Sequence, residues 1–162
     1  MNGLFDSLHS MNERMLALVN GVYIGIVTDN KDPENLGRVK VKIPILDDQV
    51  SLDWARTTTL MSGNKYGTLF IPEVGDEVVV AFQMGDIREP IVIGSLWNKK
   101  ATPPPGKDDQ NNIRKIKSKA GHEIILDDTQ GKGKITVKTV AGQQIELTEQ
   151  TDTVQLKDKN GQ

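Results

Sequence analysis

Between residues 21 and 98 lie several short runs in which apolar side chains recur at every second position. In Gly37 to Ile45, GRVKVKIPI, Val39, Val41, Ile43 and Ile45 fall on one face and Lys40 and Lys42 on the other. That period of two is the mark of a half-buried strand. Glu77 to Met84, EVVVAFQM, sets Val78, Val80 and Phe82 on one face, and Glu89 to Trp97, EPIVIGSLW, is another strand. VYIGIVTD and LDWARTT supply two more. Turn-forming runs lie between them: DPENLG at 32–37, SGNKYG at 62–67, PEVGDE at 72–77 and MGDIREP at 84–90. No helical period interrupts the series. Five or six short strands predict a small five-stranded barrel, because closure removes the exposed sheet edges.

The pattern differs at both ends. Leu4, Leu8, Met11, Met15, Leu18 and Val22 stand 4, 3, 4, 3 and 4 residues apart, a heptad-like seam that predicts a short helix over residues 1–20. Such a seam either packs on its own domain or joins copies of the chain. From residue 113 onward, pairs of apolar residues two apart repeat: Ile124 and Leu126, Ile135 and Val137, Ile145 and Leu147, Val154 and Leu156. The pairs begin 11, 10 and 9 residues apart, with turn residues between them, so each unit reads as one strand and one turn. Each strand offers only two or three apolar side chains, and no aromatic follows Trp97. Ordering the backbone costs roughly 1–2 kcal/mol per residue, more than one such meander can offset. Pooling the apolar stripes of several chains around an axis resolves the deficit, and the expectation is an oligomeric β-prism or β-helix. The alternative is an edge-exposed antiparallel meander. Residues 99–112, with three consecutive prolines at 103–105, read as a linker between the two zones.

Composition narrows the function classes. Hydrophobic residues are 36% of the 162, and the 15 glycines bring the total only to the low edge of the globular range. The formal net charge is -2, so nucleic acid is not an expected partner. No cysteine is present and only His9 and His122 could serve as imidazole ligands, so no metal centre and no cofactor is expected. The N-terminus has neither a basic run nor a continuous apolar core; the expectation is cytoplasmic synthesis without a signal peptide.

The candidate chemistry is thin. His122 follows a glycine at the start of a strand and reads as a turn or surface residue. Asp76–Glu77 lies in a turn, and Asp127–Asp128 ends a strand with nothing to position a sugar. Trp54, Tyr66, Phe70, Phe82 and Trp97 read as barrel core rather than as a stacking platform. IRKIKSK at 113–119 reads as a solvated basic stem. No nucleophile–base pair, phosphate loop or metal motif appears, and no enzymatic activity is expected. A stand-alone barrel that binds single-stranded nucleic acid or oligosaccharide is the alternative class.

Several runs together resemble the OB-fold domain of the phage baseplate assembly protein V and VgrG spike family. They are GIVTDNKDPENLGRVKVKIP, the Trp54-Ala55-Arg56 triplet, Gly67 to Phe70 leading into IPEVGDEVVVAF, GDIREPIVIGSLWN, and the proline linker. The resemblance runs nearly continuously over residues 21–105, and IRKIKSKAGHEIILDD, GKITVKT and AGQQIELT look like the start of that family's triple-stranded β-helix. It implies an OB-fold collar at 21–98 and a needle at 113–162 in a homotrimer. That trimer would be mounted on a baseplate hub protein, assembled into a virion or injection particle, and driven through a target cell envelope. On this view Ile124, Leu126, Ile135, Val137, Ile145, Leu147, Val154 and Leu156 form the trimer core. Lys159, Asn160, Gly161 and Gln162 are candidate contacts for a PAAR-type tip protein. Neither a lysozyme domain between barrel and needle nor the His-x-His metal apex of some relatives is found in this sequence.

Overall fold

The structure, a computed structural model, describes residues 19–106 and 109–162. It divides into two compact units, Met1–Thr102 and Pro103–Gln162. The seam residues Leu4, Leu8, Met11, Met15 and Leu18 lie outside the described residues. Val19 and Asn20 are irregular, and Val22 opens a strand instead of continuing a helical seam. Gly21, at φ +93°, turns the chain there, a backbone angle that glycine adopts without strain.

The first unit contains β1 (Val22–Asp29), β2 (Lys40–Ile43), β3 (Asp47–Ser51), β4 (Arg56–Thr57), β5 (Ser62–Gly63), β6 (Tyr66–Gly67), β7 (Glu77–Phe82) and β8 (Pro90–Leu96). Six of them form one sheet in the order β3-β2-β1-β7-β8-β4, and β5 and β6 form a separate hairpin. All pairings in the sheet are antiparallel except β4 with β8. The closed five-stranded barrel expected from the alternation is therefore corrected: β3 and β4 are the ends of an open sheet. One isolated bridge, Val39–Ala55, ties the residue before β2 to the residue before β4, through N–H···O bonds of 3.0 and 2.8 Å. LDWARTT contributes only the two residues of β4, too short an element to complete a ring of strands.

The core is built from alternate residues. Val27 of β1, Val41 and Ile43 of β2, Val78, Val80 and Phe82 of β7 and Val92 of β8 are buried together with Val39 and Ala55. Gly25 is required here: a Cβ would meet Val80 Cγ2 at 3.0 Å and the Lys42 carbonyl at 3.3 Å. Ile45, expected to follow Ile43 inward, is 82% exposed. Pro44 has no N–H to continue the ladder, and the Leu46 N–H closes a turn onto the Ile43 carbonyl instead. The aromatic residues also depart from expectation. Phe82 is buried and packs edge-on against Tyr23 at 5.6 Å, while Trp54 is half-buried and Tyr66, Phe70 and Trp97 are exposed.

The second unit is a five-stranded antiparallel meander: β9 (Ile113–Lys117), β10 (Glu123–Asp127), β11 (Lys134–Lys138), β12 (Gln144–Thr148) and β13 (Thr153–Lys157), paired in sequence order. IRKIKSK, read as a solvated stem, supplies β9. One turn recurs at one end of the sheet. The N–H of Ser118, Thr139 and Asp158 bonds to the carbonyl of His122, Gln143 and Gln162 respectively. The side-chain oxygen of the same Ser, Thr or Asp accepts the N–H of that fifth residue. A glycine with positive φ occupies the fourth position each time: Gly121, Gly142 and Gly161. Local side-chain acceptors of this kind stabilise the turn and hold the register of the strands it joins.

Candidate functional site

Register pairing in the second unit sorts its side chains onto two chemically different faces, because directly opposed residues share a face. Ile116, Ile124, Val137, Ile145 and Leu156 form one continuous row across the five strands. Leu126, Ile135, Leu147 and Val154 form the adjacent row, with Arg114 at its end. All eight residues expected to line a needle core thus lie side by side, joined by Ile116. The sequence reading missed Ile116 inside a basic run, where Arg114 and Ser118 leave no apolar residue two positions away to form a pair. In the single chain these rows are uncovered: the inner three strands carry their aliphatic side chains 40–44% exposed, and Val154 and Leu156 on β13 reach 70% and 72%. Continuous apolar surface of this kind on a sheet marks a face built for contact.

The opposite face is polar and tightly paired. Glu123, only 6% exposed, faces three ammonium groups: Lys117 Nζ at 2.9 Å, Lys138 Nζ at 3.1 Å and Lys115 Nζ at 3.6 Å. Hydrogen bonding to Lys117 and then Lys138 outweighs burial and lowers its carboxyl from the usual 4.5 to about 2. Lys115 also donates to the Pro105 carbonyl at 2.8 Å, which anchors the start of this unit to β9. Lys134 and Glu146 approach to 3.6 Å on the same face. Lys159, Asn160, Gly161 and Gln162 are exposed and make up the last of the three recurring turns. There Asp158 Oδ1 accepts the Asn160 N–H at 2.8 Å and the Gln162 N–H at 2.9 Å.

The first unit carries a second built feature. Asp32, buried at the start of DPENLG, accepts N–H groups from Glu34 at 3.1 Å, Leu36 at 2.9 Å and Arg38 at 3.2 Å. The Arg38 guanidinium closes the loop, with Nε 3.0 Å from Oδ2 and a terminal nitrogen 2.7 Å from Oδ1. The guanidinium holds the Asp32 carboxyl well below the ordinary carboxylate range, and the carboxylate raises Arg38 in turn. Arg38 lies 6.0 Å and the Lys40 ammonium 5.2 Å from the Trp54 ring centre, within the range of a cation–π contact. Sequence reading placed a turn at 32–37 but did not see this clasp; Asp followed by Pro six residues before an Arg was its only trace.

His122 is exposed, and its Nδ1 accepts the Val140 N–H at 3.3 Å, a turn-bracing role. Asp127 accepts both the N–H and the hydroxyl of Thr129, and Asp76 accepts the Glu73 N–H. Neither aspartate of the two candidate pairs is arranged with its neighbour around a reactive position. Among the described residues no group of three or more His, Cys, Asp or Glu is placed to hold a metal ion. No helix among them is long and apolar enough to cross a membrane.

Residues 23–97 match the family model described as the type VI secretion system/phage-baseplate injector OB domain. The chain is 29% identical over 148 residues to the type VI secretion system spike protein VgrG1b of Pseudomonas aeruginosa, covering 82% of this chain and 20% of that protein. It is 34% identical over 102 residues to VgrG2a of the same organism, covering 57% of this chain and 12% of that protein. With VgrG3 of Vibrio cholerae it shares 37% identity over 75 residues, 44% of this chain and 7% of that protein. The chain therefore spans about a fifth or less of the length of these curated relatives. The six-stranded sheet, all but Val22, and its clasped 32–38 loop lie within residues 23–97, and it is this segment of the chain that matches the injector OB domain family of phage baseplates and type VI secretion systems.

Proposed function

We propose that the protein is a structural, non-enzymatic spike component of a contractile injection machine. The OB domain serves as a collar, and residues 113–162 from three chains combine into one intertwined β-helical needle. The observation that carries this reading is the pair of aliphatic rows left half-exposed on one face of the second unit. A continuous face of nine large aliphatic side chains is the mark of a surface that another surface covers. Three copies meeting around an axis would bury the rows and leave the lysine, glutamate and threonine face in solvent. The relatives named as spike proteins support the same assignment. On this reading the collar mounts on a baseplate hub protein, the 159–162 turn meets a PAAR-type tip protein, and the assembly is pushed through a target cell envelope.

Chains whose strands pair with one another cannot leave one at a time, so resistance to load would be kinetic rather than an equilibrium property. The test is the mass of the full-length protein by light scattering. The expected value is about 54 kDa, three times the 17.9 kDa chain. A stable particle of one chain's mass would overturn the needle, because it would leave the apolar rows without a partner.

A further inference from the structure

The chain between β4 and β7 builds an apolar surface rather than a plain connection. Its hairpin β5–β6 is closely made: a Cβ at Gly63 would collide with the Tyr66 ring, and one at Gly67 with the Met61 carbonyl. The Thr68 N–H bonds to that carbonyl at 3.0 Å, and the Thr59 hydroxyl donates to the Thr68 carbonyl at 2.6 Å. Leu36 from the clasped loop, with Met61, Tyr66, Leu69 and Phe70, lines one groove of about 520 Å³. These five residues are 57–80% exposed. At about 200 Å² for a large side chain they offer on the order of 700 Å², close to the roughly 800 Å² that each partner gives a standard interface. Apolar surface of that extent marks a contact site.

A knob of matching character stands elsewhere on the same unit. The turn between β7 and β8 is braced by the Asp86 N–H on the Gln83 carbonyl at 3.0 Å and by the Arg88 guanidinium on the Asp86 carboxylate at 2.6 Å. It holds Met84 89% exposed at φ +53°, a left-handed conformation that residues with a Cβ rarely adopt. Strain kept at an exposed apolar residue points to a contact. Met84 lies past the Phe82–Pro90 pair, at the end of the β7–β8 hairpin, and does not line the groove, so its own chain leaves it without a seat. The charges also match. Lys65 is the charged side chain of the groove lining and Glu89 stands on the Met84 turn; both are exposed, and neither joins an ion pair among the described residues. We propose that the groove receives the Met84 turn of a second copy of the chain, which sets that copy's Glu89 beside Lys65. A contact between unlike patches is head-to-tail, and it closes a ring when each chain gives its knob to one neighbour and its groove to the other. The inference rests on the three-chain reading above, to which it adds the surface that joins the OB domains.

The chain has no cysteine, so Leu69→Cys and Met84→Cys place one thiol on the groove and one on the knob of the full-length protein. Light scattering of each variant fixes the number of chains before a short bis-maleimide is added. In the double variant the expected products on a denaturing gel are linked dimers and trimers, at least about tenfold more abundant than from either single variant, because a head-to-tail contact brings unlike positions together. Phe70→Cys is expected to give the same result in place of Leu69→Cys, and serves if that variant does not fold. A three-chain particle whose double variant links no better than the single ones overturns the proposal and leaves the needle standing: no linking assigns the groove to another protein, and linking by Leu69→Cys alone sets groove against groove. A particle of one chain's mass before cross-linking overturns both readings.

Discussion

Single residues carry more of this molecule's definition than its plain composition suggests. Asp32 has three backbone N–H groups and one guanidinium converging on a buried carboxylate, whereas Glu34 reaches the same Arg38 from solvent at 2.8 Å. An exposed ion pair contributes little, and loss of a buried acceptor strands several donors at once. Asp32→Ala is therefore expected to lower the thermal midpoint by several degrees and Glu34→Ala hardly at all, measured by circular dichroism melts of the two variants. In the core, truncating Phe82 removes the ring that packs on Tyr23, and Phe82→Ala should cost about 3–5 kcal/mol in denaturant unfolding. Glu123 sets a pH response. Its carboxyl titrates near 2 when folded against 4.5 when unfolded, so the unfolded form binds more protons between those values. The stability it contributes is complete above pH 4.5 and is lost as pH falls through about 2. Acid titration of unfolding should show this loss, and Glu123→Gln should flatten it while lowering stability at neutral pH, where three lysines lose their counter-charge. Of these residues, sequence reading found Phe82 by alternation. It could not find Asp32 or Glu123, because their roles depend on partners brought in by loop closure and by strand pairing.

At the scale of the element, alternation was the strongest guide. β1 follows VYIGIVTD residue for residue, and β7 and β8 lie within the runs read as strands. The misreadings share a cause. Ile45 continues a perfect alternation yet lies outside the sheet, because Pro44 removes the next ladder donor. LDWARTT yields only two strand residues because Ala55, within the run, makes only the isolated bridge to Val39. β9 was hidden by its lysines, since a strand whose polar face is as well populated as its apolar one has the composition of a solvated stem. The repeated turns of the second unit give a direct test at this scale. Gly142 adopts φ +100°, and Gly142→Ala should destabilise the meander by about 1–2 kcal/mol, the cost of a left-handed backbone for a residue with a Cβ. The readout is hydrogen exchange, with losses of protection centred on β11 and β12.

For the whole molecule, the decisive property is the area left uncovered. The rows centred on Ile135 and Val137 lie in the middle of the second unit's apolar face. A carboxylate there would be buried without a partner in any needle built on that face. Ile135→Asp is expected to reduce the light-scattering mass from three chains to one, while Thr153→Asp, at an exposed position of the polar face, does so less. The balance of charge makes a second expectation. With a net charge of -2, the protein should show no tight, salt-dependent binding to single-stranded DNA in a fluorescence titration. Such binding would favour the alternative use of an OB fold.

The sequence alone determined the β class of the first unit, most of its core, the rows of the second unit and the resemblance that the family match now shows. These follow from periods of two along a chain and from local turn chemistry, both of which act over a few residues. The tertiary structure decided what those periods face: an open sheet tied by one bridge in place of a closed barrel, a carboxylate clasped by its own loop, a glutamate set among three lysines. Each of these depends on which strands become neighbours, a choice made by the packing of residues distant in the chain.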